Sequence, residues 1–221
     1  MTLAESHGAV CVGMTGQVVE VQVHLSNGLP GMTIVGLPDT SISESRDRVR
    51  SAVVNSGFEW PTGRITVGLS PAFEHKRGSG LDLAVAVAVL ASNGAVTDRQ
   101  LAGSVFMGEL GLDGSVRAIP GAVAMALGVV RAPGIRRVFA GRTTAAQIAR
   151  VPGLQVIPVA TLREAVDVMR GEVAIPDAPA APDDIRMGVF PELSEVLGQP
   201  LACRALEVAA AGGHHLSLIH I

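Results

Sequence analysis

Reactive side chains concentrate between Glu74 and Asp82. Glu74, His75, Lys76 and Arg77 stand in a row, and Ser79 and Asp82 follow. A serine and a lysine this close raise the question of a Ser–Lys dyad, in which desolvation lowers the amine's pKa until it can take the serine proton. Arginine cannot replace the lysine, because it stays protonated. Lys76 is the only lysine among 17 basic residues, so a dyad would have to use it. It sits in a polar loop beside His75 and Arg77, where nothing points to desolvation. Ser79 also has a competing use. Ser79 and Asp82 form an S-x-x-D spacing, which predicts a capped helix start.

Other chemistries lack their residues. A phosphate loop needs G-x-x-x-x-G-K-[ST], whereas Lys76 is followed by Arg77 and Gly78. Gly78-Ser79-Gly80 is at most a fragment of a dinucleotide-binding turn, and no G-x-S-x-G elbow is present. Nothing brings a serine, a histidine and an aspartate together as a triad. The histidines (His7, His24, His75, His214, His215 and His220) show no H-x-x-x-H spacing, so no metal site is expected. Cys11 and Cys203 lie near opposite ends without a C-x-x-C pair, so no structural disulfide is expected.

The element that must position this loop is Gly78 to Ser92, GSGLDLAVAVAVLAS. Alternating Ala and Val would suit a buried strand as well as a helix. Alanine is a poor strand residue, and Ser92-Asn93-Gly94 is a stop signal, so the stretch is predicted to be a buried helix without a polar face. Before it, Val10 to Val12 and Gln17 to Leu25 read as strands, the second alternating Val and Leu with Glu20, Gln22 and His24. Gly31 to Leu37 reads as a third strand. An amphipathic helix from Thr40 to Ser56 follows, with Ser41 and Glu44 as a capping box and Glu44–Arg48 as an i,i+4 pair. Its Arg46, Arg48 and Arg50 are either a solvated face or an anion contact, and the interleaved Glu44 and Asp47 weigh toward the former. Arg64 to Leu69 is a further strand.

Beyond the apolar stretch, Asp98 to Leu101 reads as a short helix. Val105 to Leu110 and Ser115 to Ala118 are predicted to pair as a hairpin across Leu112-Asp113-Gly114. Pro120 to Val130, Thr143 to Arg150 and Thr161 to Met169 read as helices, with strands at Arg137 to Ala140 and Leu154 to Val159. The Pro/Ala/Asp-rich run after Gly171 is a linker, and a new unit begins at about Pro191. Strands and helices in this order predict an α/β (mixed α+β) fold with a mixed sheet.

Bulk properties narrow the partners. The 221 residues carry a net charge of −3, so no global basic field attracts nucleic acid, and 3% aromatic content offers little for base stacking. The start, MTLAESHGAV, has no signal-peptide pattern. The apolar run Leu83 to Ala91 falls far below the ~20 residues of a membrane span. A soluble, cytoplasmic protein is the expectation.

Four stretches resemble the N-terminal domain of the YifB/ComM family, magnesium-chelatase-like AAA+ ATPases. They are Gly28 to Gly57 (GLPGMTIVGLPDTSISESRDRVRSAVVNSG), Arg64 to Ala72 (RITVGLSPA), Gly78 to Ser92, and Gly108 to Val123 (GELGLDGSVRAIPGAV). Pro191 to His215 is similar to the opening of that family's ATPase module. The resemblance implies a Lon-like domain over residues 1–170, with the ribosomal protein S5 domain 2-like fold. It further implies a linker over 171–190 and the start of an AAA+ module over 191–215. Residues 216–221, LSLIHI, match what the transposon end of a sequencing adapter encodes, and are expected to be non-native.

The same resemblance bears on catalysis. Laid on the Lon pattern, the nucleophile position falls at Leu81 and the base position at Val123, and neither can do the chemistry. A non-proteolytic domain is therefore implied, with a Lon-like peptidase using Ser79 and Lys76 as the alternative. For the full-length parent the family implies ATP and Mg2+ as cofactors, a hexameric ring by self-association, and DNA branch migration in its ComM branch. Gly198 and Gln199 match residues that lie near the nucleotide base in AAA+ proteins, but no phosphate loop accompanies them here. Arg46, Arg48 and Arg50 are the candidate nucleic-acid contact.

Overall fold

The computed structural model describes residues 2–36, 39–71, 79–177 and 192–217. Lys76 and the rest of the 72–78 loop lie outside these, as do most of the linker and the last four residues. The chain divides into two compact units, Met1–Ala181 and Pro182–Ile221.

The first unit opens with two long antiparallel strands, β1 (Thr2–Val12) and β2 (Thr15–Ser26). The sequence shows only the end of β1, because its earlier residues carry no long apolar side chains apart from Leu3. What makes Thr2 to Ala9 a strand is its partner, since β2 supplies backbone pairing along its length. The short β3 (Gly31–Val35) leads into α1 (Thr40–Asn55) and then β4 (Arg64–Ser70), which lies parallel to β3 and antiparallel to β2. The sheet order is β1-β2-β4-β3. The α1 N-cap is Asp39, whose side chain accepts from the Ile42 N–H at 2.9 Å, and not Ser41 as the capping-box reading had it.

A turn of 3-10 helix (Ser79–Leu81) leads into α2 (Asp82–Ser92), and all eleven residues of α2 are buried. Alternating Val19, Val21 and Val23 of β2, with Ile65, Val67 and Leu69 of β4, face the same core as α1 and α2. An all-apolar helix fits here because α2 is enclosed by β1, β2, α1, the strand Ser104–Met107 and the helix Leu162–Arg170. The Ser6 hydroxyl of β1 donates to the Ala84 carbonyl at 2.8 Å and ties the sheet to the helix.

The second half of this unit is a parallel three-stranded sheet. It consists of β5 (Ser104–Met107), β8 (Arg137–Gly141) and β9 (Gln155–Val159), with β8 in the middle. Helices α3 (Asp98–Leu101), α4 (Ala122–Arg131), α5 (Arg142–Ile148) and α6 (Leu162–Arg170) accompany it. The hairpin expected from Val105 to Ala118 is shorter than the sequence suggests. Only β6 (Glu109–Leu110) and β7 (Val116–Arg117) pair in it, while Ser104–Met107 pairs with β8. Gly108 marks the break: a side chain there would press on Val116. The mixed α/β class is as expected from the order of elements.

The smaller unit holds α7 (Pro200–Gly212), with proline at its start and Gly213 at φ 62° closing it. Leu201 and Val208 on it are exposed.

One backbone contact sets the spacing between α4 and the first sheet. A Cβ on Gly128 would overlap the backbone of Gly16, and one on Gly16 would overlap the Ala124 carbonyl. Alanine in place of a mid-helix glycine normally gains about 1 kcal/mol, but here the overlap is with backbone that cannot swing aside. Gly128→Ala is therefore expected to destabilise by about 1–3 kcal/mol in urea unfolding. Gly68→Ala, at a strand position with open space around it, is expected to be neutral or better.

Candidate functional site

The polar groups singled out by the sequence gather at the entrance of α2, in an arrangement that differs from the expected cap. Leu81 stands at the N-cap position without a side-chain cap bond. One orphan N–H of the first turn is satisfied from outside the helix. The Leu83 N–H donates to the Gly108 carbonyl at 3.1 Å, and the Gly108 N–H donates to the Gly80 carbonyl at 3.1 Å. The junction of β5 and β6 thus performs the capping assigned to Ser79.

Ser79 and Asp82 are free for other partners. The Ser79 hydroxyl donates to the Glu109 carboxylate in a short contact, and Glu109 faces Arg117 across the hairpin at 3.8 Å. Asp82 turns inward, 1% exposed, and forms a fork with Arg48 of α1. Arg48 Nε donates to Oδ2 at 2.8 Å and Nη2 donates to Oδ1 at 3.2 Å. The Leu110 N–H, at 3.3 Å, also reaches Oδ2. Burial pushes the Asp82 carboxyl up to about 6, and the hydrogen bonds from Arg48 and Leu110 offset only part of that. At neutral pH the pair is ionic. The hydrogen bond with Asp82 in turn holds Arg48 more firmly protonated.

This cluster can do little chemistry. The Ser79 hydroxyl faces a carboxylate, a poor base for a serine proton. Lys76, the only lysine, lies outside the described residues. Leu81 is fully buried and Val123 is half exposed on α4.

Of the three arginines on α1, only Arg48 points into this cluster. Arg46 and Arg50 are exposed and line a groove of about 270 Å3 with Met32, Asp47 and Trp60. Gly198 takes φ 76°, and Gln199 caps α7 through its backbone, its carbonyl accepting from the Cys203 N–H at 3.0 Å. The sequence reading missed the Arg48–Asp82 pair. The two residues are 34 positions apart, and each had a plausible local role. The available signal was an acidic residue at the head of a helix with no polar face.

The profile for subunit ChlI of magnesium chelatase matches residues 21–143, more than half of the chain. The chain belongs to the ChlI family. Within it, this ChlI-type chain is 38% identical over 219 residues to YifB of Salmonella typhimurium and 36% identical over 219 to YifB of Escherichia coli. It is 33% identical over 220 residues to the competence protein ComM of Haemophilus influenzae. Each alignment covers nearly all of this chain but 43% of the relative, so the chain spans less than half the length of the relatives it matches. None of the described helices is long and apolar enough to cross a membrane.

The raised Asp82 pKa has a consequence for stability. A carboxyl whose pKa is higher in the folded than in the unfolded state favours folding while protonated, and that contribution disappears as pH rises through the folded value. Relative to Asp82→Asn, wild-type stability in urea unfolding is expected to fall between pH 4 and pH 7, by on the order of 2–3 kcal/mol. A flat or rising difference would mean that pairing with Arg48 outweighs burial.

Proposed function

We propose that this chain is the N-terminal, non-proteolytic, Lon-like part of a YifB/ComM-type AAA+ ATPase. One observation carries the reading. The entrance of α2, where a Lon-type nucleophile belongs, holds buried Leu81 followed by an aspartate locked to Arg48. An ion pair there fixes α1 to α2, and among the described residues of this entrance no nucleophile faces a suitable base. In this reading residues 1–170 are the Lon-like domain with the S5 domain 2-like fold, 171–190 the linker, and 191–215 the first part of the ATPase module. ATP and Mg2+ then act in the parent's remaining ATPase segments, with Gly198 and Gln199 flanking the nucleotide site.

The parent is proposed to be an ATP-driven ring, formed by self-association, that acts on DNA. The relative named a competence protein favours branch migration during natural transformation. Arg46 and Arg50, two exposed cations beside the ring of Trp60, suit a phosphate backbone with a base stacked alongside. Arg48, bound to Asp82, would contribute mainly by holding α1 in place.

Two measurements test this. In the full-length parent, replacing Arg46 and Arg50 with Ala is expected to weaken DNA binding and reduce the slope of log K against log salt by about two. Unchanged affinity and slope would remove α1 from the DNA contact. The 221-residue chain is expected to give no casein turnover. Turnover abolished by Lys76→Ala would establish the peptidase alternative.

A further inference from the structure

The face of the first sheet turned away from α2 carries a second cluster. Ala4, Ser6 and Gly8 of β1 point toward α2, so the alternation of the strand sends Glu5 and His7 to the opposite face. The β1–β2 register sets His7 directly opposite Glu20. Helix α4 covers this face near Ala9, Cys11 and Val18, and among the described residues the His7 end is open. One ligand atom from each of Glu5, His7 and Glu20 lies within 4.8 Å of the other two, the only such trio of His, Cys, Asp or Glu among the described residues.

We propose that Glu5, His7 and Glu20 form a binding site for a divalent metal ion of the zinc class. His7 Nε2 and Glu5 Oε1 are 3.5 Å apart. Two ligands, each about 2.1 Å from a tetrahedral ion, stand roughly 3.4 Å apart, so this pair already has the spacing of two ligands on one ion. Glu20 is oriented by a neighbour, since Gln22 Nε2 donates to its Oε1 at 2.5 Å, the kind of outer hydrogen bond that fixes a ligating carboxylate. Half-exposed side chains on two paired strands need only small rotations to bring the third oxygen in. One imidazole with two carboxylates suits zinc and its neighbours better than magnesium or calcium, which take all-oxygen shells. Two grooves meet at His7. One, of about 370 Å3, includes Glu5 and Asp98, and the other, of about 320 Å3, includes Glu20 and Pro71. The ion therefore keeps positions open to water or to an anionic ligand. Histidine spacing does not reveal this site, because the ligands come from an E-x-H pair on one strand and its cross-strand neighbour on the next.

The test is Zn2+ titration of the chelator-stripped 221-residue chain by calorimetry, with circular dichroism to check folding. One set of variants is His7→Ala and Glu20→Gln, and a control is His214→Ala with His215→Ala. The expected result is one equivalent of Zn2+ bound to wild type and to the control, weakened at least about tenfold in both His7→Ala and Glu20→Gln. Wild-type affinity retained in either folded member of that pair, or binding lost in the control, would overturn the assignment. If His7→Ala fails to fold, Glu20→Gln decides alone.

Discussion

The structure turns on one ion pair. Arg48 and Asp82 join the two helices that cover the first sheet, and Asp82 also accepts from the backbone of the β6 hairpin. Three elements distant in sequence are held at one carboxylate. Desolvating two charges costs much of what their attraction returns, so the pair is weak evidence of net stability. Its effect is on specificity of arrangement. Once α2 is buried on all sides, its first residue has no water to fall back on. The carboxylate must find Arg48 and the Leu110 N–H, and that requirement sets how α1, α2 and the hairpin meet.

Much of the architecture can be read from pattern alone. Period-2 alternation marks β2, alanine content and a stop signal mark α2, and the Thr161 side chain caps α6 through the Glu164 N–H as its spacing suggests. Features that depend on distant partners are less visible. Nothing between Thr2 and Ala9 announces a strand until β2 lies beside it. The Val105 to Leu110 run reads as one strand, but Gly108 divides it between two sheets. At the α2 entrance the local signals point the wrong way. Ser79 and Asp82 have the spacing of a cap, yet the Leu83 N–H donates to the Gly108 carbonyl and both side chains make tertiary contacts instead.

The same logic separates fold from chemistry. A catalytic serine needs a base held at hydrogen-bond distance, unprotonated, and with a pKa near the working pH. At this entrance the serine meets a carboxylate, the neighbouring aspartate is matched to an arginine, and Leu81 is buried. The groups are well placed to hold elements together and poorly placed to transfer protons. Two surfaces of the domain are proposed to bind ligands, the Arg46/Arg50 groove on α1 and the Glu5/His7/Glu20 face of the first sheet.

The structural role of the ion pair at the α2 entrance is tested most directly by a double-mutant cycle with Arg48→Met and Asp82→Leu, read by urea unfolding at pH 7. Arg48→Met alone strands a buried carboxylate and is expected to cost about 3–5 kcal/mol. Adding Asp82→Leu is expected to recover at least about 1 kcal/mol of that loss, giving a clear coupling energy. Additive losses, with the double variant less stable than either single one, would contradict the account.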